Sequence, residues 1–263
     1  MDITLDLLRP ATWPQDLLSF LDAHRQLFQA WEERSGTVGA AEYDRAHAGL
    51  HKVLQQNVIV GWHCTRLTDR ERAAVVRDGM SLPNRGMLLR RINDAVSDGL
   101  LANGIATRLK AEHEADDPHR ANRIWFCFFP PRLAGDFGVG RLFRSWGGEA
   151  LYGLHEDDPA TGPALRRIGQ PCIVEAGVPI ASLRPHSFLV DKIVRRYLVH
   201  HGFRTSEPVD HEDCALHPLP AVAVRRVIAL GDPDFVTLTG CNTWSDEFRL
   251  TPTNASNAQM GRA

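Results

Sequence analysis

The sequence has almost no net charge. Its 30 Lys and Arg residues are nearly balanced by 32 Asp and Glu residues, which gives a formal charge of -2 at pH 7. A domain that binds nucleic acid through its overall field carries a clear excess of positive charge. We therefore do not expect bulk affinity for polyanions. Local basic pairs, such as Arg90-Arg91 and Arg225-Arg226, could still bind a polyanion, but we expect most of them to lie on solvent-exposed faces.

Long apolar runs and paired cysteines are also missing. No apolar stretch approaches the roughly 20 residues that a transmembrane helix needs, and the N-terminus lacks the basic and apolar regions of a signal peptide. The five cysteines are scattered and form no CxxC motif. This indicates buried thiols in a reducing compartment rather than disulfides or a zinc site. We expect a cytoplasmic protein that does not associate with a membrane.

No metal site is predicted. His113, Glu114 and His119 lie close together in a polar segment, but no second cluster of ligands has the spacing that a metal site needs. A solvated loop is the simpler interpretation of this segment.

The most informative stretch begins with the β-branched run Val58-Ile59-Val60, which predicts a buried strand. The strand is expected to end in a polar tip with His63 and Thr65, whose spacing of two places both side chains on one face. Thr68 and Glu71 then form the capping-box pattern of a helix start. The helix is predicted over 69–77, and Gly79 ends it.

This unit resembles the first core strand of poly(ADP-ribose) polymerases and related ADP-ribosyltransferases of the His-Tyr-Glu class, which includes diphtheria toxin. In that family the strand ends in His-x-Ser or His-x-Thr, and a short helix and a Gly-Leu-like exit follow. The resemblance implies that NAD is the substrate. It implies that His63 holds the ribose and that Thr65 holds the nicotinamide amide. Cys64 would contribute a backbone contact, at a position where the family often has Gly.

The same resemblance implies two further roles. A second core strand, predicted over 122–129, would supply an aromatic residue that stacks on nicotinamide. Trp125 and Phe126 are the candidates, because no Tyr stands there and stacking needs only a π face. The catalytic carboxylate of the family heads a late strand, a position that Glu212 matches.

A glycine-rich stretch, 135–152, is a second candidate site element, because glycines permit tight turns and close backbone approach to a ligand. Its Trp-Gly-Gly-Glu segment, 146–149, is predicted to form a loop tip that lines the pocket. Arg144, Trp146 and Glu149 would bring a cation, a stacking face and a reserve catalytic carboxylate close together.

The fold class expected is α+β. Two small antiparallel sheets would face each other across an NAD cleft. The predicted units are an N-terminal helical cover (1–53), a catalytic domain (54–236) and a C-terminal extension (237–263), whose end from Thr251 has a disordered composition.

The expected function is NAD-dependent transfer of ADP-ribose to a protein, DNA or RNA acceptor, and analogy with small stand-alone transferases suggests a role as a toxin or defence effector. Two alternatives stay open. An NAD-dependent RNA 2'-phosphotransferase would need cleft arginines, for which Arg66, Arg123 and Arg144 qualify. A non-catalytic NAD- or nucleotide-binding protein of the same fold would bind without turnover.

Overall fold

The computed structural model describes residues 4–34, 36–185, 188–205, 207, 210–245, 248 and 250. The tail that the sequence predicts to be disordered lies outside these residues. The strands are β1 (Thr4–Leu5), β2 (Val58–Leu67), β3 (Ile124–Cys127), β4 (Gln170–Pro179), β5 (Glu212–Ala215) and β6 (Val224–Ala229). The helices are α1 (Gln15–Ala23), α2 (Arg25–Glu32), α3 (Ala40–Leu54), α4 (Asp69–Asp78), α5 (Arg85–Ser97), α6 (Asn103–Ala111), α7 (Gly135–Arg144), α8 (Glu149–His155), α9 (Thr161–Arg167), α10 (Leu189–His200) and α11 (Pro233–Thr239).

The strands form one sheet in the order β5-β3-β2-β4-β6, and β1 pairs in parallel with the start of β2. Strand β4 pairs with β2 along its whole length, from Pro179 opposite Val58 to Gln170 opposite Leu67. Strands β2 and β3 are paired at one position only, Trp62 opposite Cys127. The α+β class is confirmed. The resemblance implies two facing sheets, whereas the structure has one sheet in which β2 and β3 are paired at a single position.

The helices of the N-terminal segment pack into the main core. Leu17 of α1 and Leu50 of α3 are fully buried in one cluster with Val178 of the sheet and Ile193 of α10. The segment also supplies β1, which the helical prediction for 1–53 missed. Two residues of strand are too short to leave a periodic pattern, so only pairing with β2 defines them.

Helices α7 and α11 cover the opposite face of the sheet. Phe143 and Phe235 pack there against Trp62 and Ile228. The predicted boundary after residue 236 therefore falls inside α11, a helix that contributes to this core. None of the helices in the described part of the chain is both long enough and apolar enough to cross a membrane.

The glycine-rich stretch 135–152 is mostly helical, and the loop tip predicted at 146–149 is the turn between α7 and α8 with the first residue of α8. Val139 and Phe143 lie four residues apart in α7, so both face the core. Only 145–148 is a turn, and there Gly147 and Gly148 have φ values of 90° and 56°. Side chains with a Cβ rarely adopt such values, which explains the glycine pair between α7 and α8.

Candidate active site

His63 and Thr65 lie within β2, not at its tip, because the strand continues to Leu67. Their side chains share one face, as the spacing of two predicts. Both are partly buried. The Nδ1 atom of His63 is 2.8 Å from the backbone oxygen of Trp125 on β3. The imidazole also meets the ring of Phe126 edge-on, with 5.9 Å between ring centroids.

The site lies where the sheet loses its pairing. After Trp62 opposite Cys127, no further residue of β2 is paired with β3, although β2 stays paired with β4. The bond from His63 to Trp125 then joins the two strands through a side chain instead of a ladder hydrogen bond. The peptide of Cys64 therefore follows directly after the last β2–β3 pair.

His63 is poised to accept a hydrogen bond from a ligand. Burial lowers the pKa of His63, the hydrogen bond to the Trp125 carbonyl offsets part of this effect, and the charge of Arg91 adds a smaller lowering. The ring is thus neutral at pH 7, and Nδ1–H is donated to Trp125. Its Nε2 carries a lone pair and has no partner among the described residues. The Thr65 hydroxyl likewise makes no hydrogen bond within the described part of the chain.

A buried carboxylate organises the region after β2. Glu71 Oε2 accepts a hydrogen bond from the Thr68 backbone nitrogen at 2.8 Å, which completes the predicted capping box. Its Oε1 accepts from Arg91 Nε at 2.6 Å, and Trp146 Nε1 donates to Oε2 at 3.0 Å. Glu71 thereby ties the start of α4 to α5 and to the turn before α8.

Trp146 does not line a pocket, contrary to the prediction. Its side chain is fully buried in a helical cluster with Ile92, Leu151 and Leu165. An indole buries a large apolar area and needs one acceptor for its N–H, and Glu71 supplies that acceptor. The same tryptophan that looked like a stacking face is therefore a core residue.

Of the two aromatic candidates on β3, only Trp125 can reach a ligand. Phe126 is 2% exposed and packs between His63 and Phe128, so the prediction that it stacks on nicotinamide is wrong. Trp125 is partly exposed. The guanidinium of Arg184 lies over its ring, 4.9 Å from the centroid, which occupies one face of the indole.

Glu212 lies on the other face of the sheet from His63. It pairs with Cys127, which pairs with Trp62, and side chains at paired positions share a face. Because neighbours along a strand alternate, His63 points the opposite way. The Cys127 thiol donates a weak hydrogen bond to Glu212 Oε1 at 3.8 Å. The structure therefore does not bring these two predicted residues together.

The side chain of Cys64 shares the face of Cys127 and Glu212 and is buried. Burial raises the pKa of the Cys64 thiol, and the neighbouring Cys127 raises it further. The thiol is therefore protonated at neutral pH and is a poor nucleophile. Only the backbone of Cys64 remains for the contact that the resemblance implies.

The Glu212 carboxyl has a perturbed pKa. Burial raises the pKa of Glu212, and the charges of Asp210 and Glu149 raise it further. Glu149 is the first residue of α8, and its Oε2 lies 3.8 Å from Arg120 Nε. A raised carboxyl pKa is a property of many catalytic acids and bases, which favours Glu212 for that role.

The arginines proposed for an RNA-processing cleft are largely engaged elsewhere. Arg66 donates to three backbone carbonyls, at 2.6 to 3.1 Å. Arg144 is paired with buried Glu156 at 2.8 Å, which also removes it from the predicted pocket lining. Arg123 is half-buried, and its Nη1 donates to the His119 carbonyl at 3.3 Å.

Among the residues that the structure describes, no group of three or more His, Cys, Asp or Glu side chains is placed to hold a metal ion. Sequence reasoning did not identify Arg91 as a residue of the site. In the sequence it is only one member of the Arg90-Arg91 pair, because its hydrogen bond to Glu71, twenty positions away, is a tertiary contact.

Comparison of the chain with protein-family models, with curated proteins and with solved structures gives no match.

Proposed function

We propose that the protein is an NAD-dependent ADP-ribosyltransferase that modifies a macromolecular acceptor. The observation that carries the proposal is the loss of β2–β3 pairing directly beside His63, whose Nε2 is left without a partner. An unpaired strand region offers a ligand backbone groups as well as side chains. The neighbouring Thr65 hydroxyl adds a second polar group on the same face.

Each binding residue has a role that its chemistry fits. Neutral His63 accepts a hydrogen bond from a ribose hydroxyl through Nε2, since its Nδ1–H is already donated. The Thr65 hydroxyl and the Cys64 peptide bind the carboxamide of nicotinamide. Trp125 stacks on the nicotinamide ring with the face that Arg184 leaves uncovered.

The reaction needs a carboxylate. When nicotinamide leaves NAD, positive charge develops on the ribose ring, and a nearby carboxylate stabilises that charge and draws a proton from the acceptor. We assign this role to Glu212, with Glu149 as the alternative. Glu212 acts from the face opposite His63, and the strand register places Trp125 on that same face. The proposal therefore requires the nicotinamide ribose to enter the unpaired region between β2 and β3.

The test is nicotinamide release from NAD, measured with cell lysate as the source of acceptors. We expect release by the wild type and a loss of about 10²- to 10⁴-fold in kcat for Glu212→Gln, the usual size of a general-base contribution. His63→Ala should raise KM, because it removes a ground-state contact. His119→Ala, at an exposed histidine outside the site, is the matched control and should behave as the wild type does.

The outcomes separate the candidates. If Glu212→Gln keeps full activity and Glu149→Gln loses it, the carboxylate role belongs to Glu149. If the wild type binds NAD without releasing nicotinamide, the protein is a non-catalytic NAD-binding protein. The RNA 2'-phosphotransferase alternative is not favoured, because Arg66 and Arg144 are engaged with protein groups.

We place the reaction in the cytoplasm. All five cysteines are free thiols, and four of them are buried. This usage is typical of a reducing compartment.

A further inference from the structure

Arg91 has hydrogen-bonding capacity that the protein does not use. Its Nε binds Glu71, and the guanidinium lies over the ring of Trp146, 4.8 Å from the centroid. These two contacts fix the plane and the direction of the group. Its Nη2 is shielded from water and has no partner among the described residues, and Nη1 makes no hydrogen bond there either.

An orphan of this kind is costly in a folded protein. A buried donor without an acceptor has lost its hydrogen bonds to water and gained none in the protein, and the cost is larger when the donor is charged. Glu71 cannot satisfy the far edge of the guanidinium, because it is engaged with Nε, the Thr68 backbone and Trp146. The free edge carries two parallel sets of N–H groups, which is the geometry that binds phosphate oxygens in a bidentate way.

Arg91 is bonded through Glu71 to the start of α4, directly after the strand that carries His63 and Thr65. Arg91 and His63 make no bond to each other, yet Arg91 is close enough for its charge to act on the imidazole. This end of β2 thus combines a fixed cation, a neutral nitrogen acceptor on His63 and the hydroxyl of Thr65. A ribose with a phosphate attached has the matching set of groups.

We infer that Arg91 binds a phosphate group of the nucleotide whose ribose contacts His63, so that the site selects nucleotides over nucleosides. The inference deepens the proposed function, because it concerns the same site. It concerns binding alone and does not require turnover of NAD.

The test uses two pairs of ligands that differ only in a phosphate: nicotinamide mononucleotide against nicotinamide riboside, and AMP against adenosine. Binding to the full chain is measured by calorimetry. We expect the wild type to prefer the phosphorylated member of at least one pair by about 10- to 100-fold, the effect of one charged hydrogen-bonding contact. Arg91→Gln should abolish the preference and leave nucleoside affinity unchanged.

Two further variants separate the loss of the phosphate contact from a loss of folding. Arg91→Lys keeps a positive charge beside Glu71 and is expected to fold, as checked by circular dichroism, but it loses the planar fork and most of the preference. Arg70→Gln removes another arginine that joins α4 to α5, through Asp94 and Asp98, and should keep the full preference.

The inference is overturned if the wild type shows no preference in either pair, or if the preference survives in folded Arg91→Lys and Arg91→Gln. It can also fail separately from the proposed function. Nicotinamide release with no role for Arg91 would remove the phosphate contact only. A phosphate preference without nicotinamide release would remove the transferase activity only.

Discussion

Replacement of Glu71 by Ala should be among the most destabilising single changes in the protein. The Glu71 and Arg91 side chains are only 17% and 20% exposed, so the variant leaves a largely buried cation without its partner. Breaking a buried pair from one side costs about 3–5 kcal/mol. The variant also removes the acceptor for Trp146 Nε1 and half of the capping box at Thr68. These losses belong to the same buried network, so their free energies are not added to that of the ion pair. We therefore expect a total of about 3–5 kcal/mol.

The assay is urea unfolding at pH 7, followed by circular dichroism, with Asp94→Ala as the control. Asp94 also joins α5 to α4, but its contact with Arg70 is 3.5 Å long and both side chains are more than half exposed. An exposed pair of this kind contributes less than about 1 kcal/mol. If Glu71→Ala lowers the free energy of unfolding by no more than Asp94→Ala does, the guanidinium of Arg91 is hydrated in the variant, and the argument from burial is wrong.

The same contacts make the contribution of Glu71 depend on pH. Burial alone would raise its pKa, but the charge and hydrogen bond of Arg91, with the Thr68 and Trp146 donors, outweigh it, and the pKa is lowered from 4.5. A carboxyl with a lowered pKa stabilises the fold above its unfolded pKa, and this stabilisation is lost as pH falls through the folded pKa. The stability difference between wild type and Glu71→Gln should therefore be constant above about pH 5 and shrink below pH 4.5. A constant difference down to pH 3 would contradict the assignment.

Two further predictions concern stability. Burial lowers the pKa of His211 to about 4, and its ring stacks on Phe128. The unfolded chain binds a proton near pH 6.5 that the folded chain excludes, so stability should fall as pH drops from 6.5 towards 4, by up to about 1.4 kcal/mol per pH unit. His211→Phe keeps the stacking and should flatten this dependence in urea unfolding. Gly79→Ala should lower the melting temperature by several degrees or more, because φ is +88° and an added Cβ would lie 2.1 Å from the Leu219 carbonyl oxygen. An unchanged melting temperature would show that α4 can shift away from that carbonyl.

The local features of the first strand–helix unit could be predicted because they depend on neighbours in sequence. The capping box of Thr68 and Glu71 needs only a spacing of three, and the stop at Gly79 needs only a residue that tolerates positive φ. The common face of His63 and Thr65 follows from strand periodicity. Each of these statements is a matter of short-range geometry, so the chain beyond the unit did not affect it.

The candidate site was less predictable, because its residues are defined by burial and pairing. An aromatic ring can stack on a ligand or fill a core, and the sequence does not distinguish the two roles. Packing decides between them, and it buries both Trp146 and Phe126 in the core. Glu212 heads β5 as predicted, but its face is set by the register of two successive strand pairs. A shift of one residue in either pair would have placed its side chain on the face of His63.

The sequence by itself determined the α+β class, the capped helix after β2 and the placement of His63 and Thr65 on one face of a strand. The tertiary structure decided which partners these residues meet. It ended the β2–β3 pairing after Trp62, bound His63 Nδ1 to the Trp125 carbonyl and placed Glu71 between Arg91 and Trp146. The physical reason is that hydrogen-bond satisfaction and charge burial are set by groups that are distant in sequence, and no local pattern encodes them.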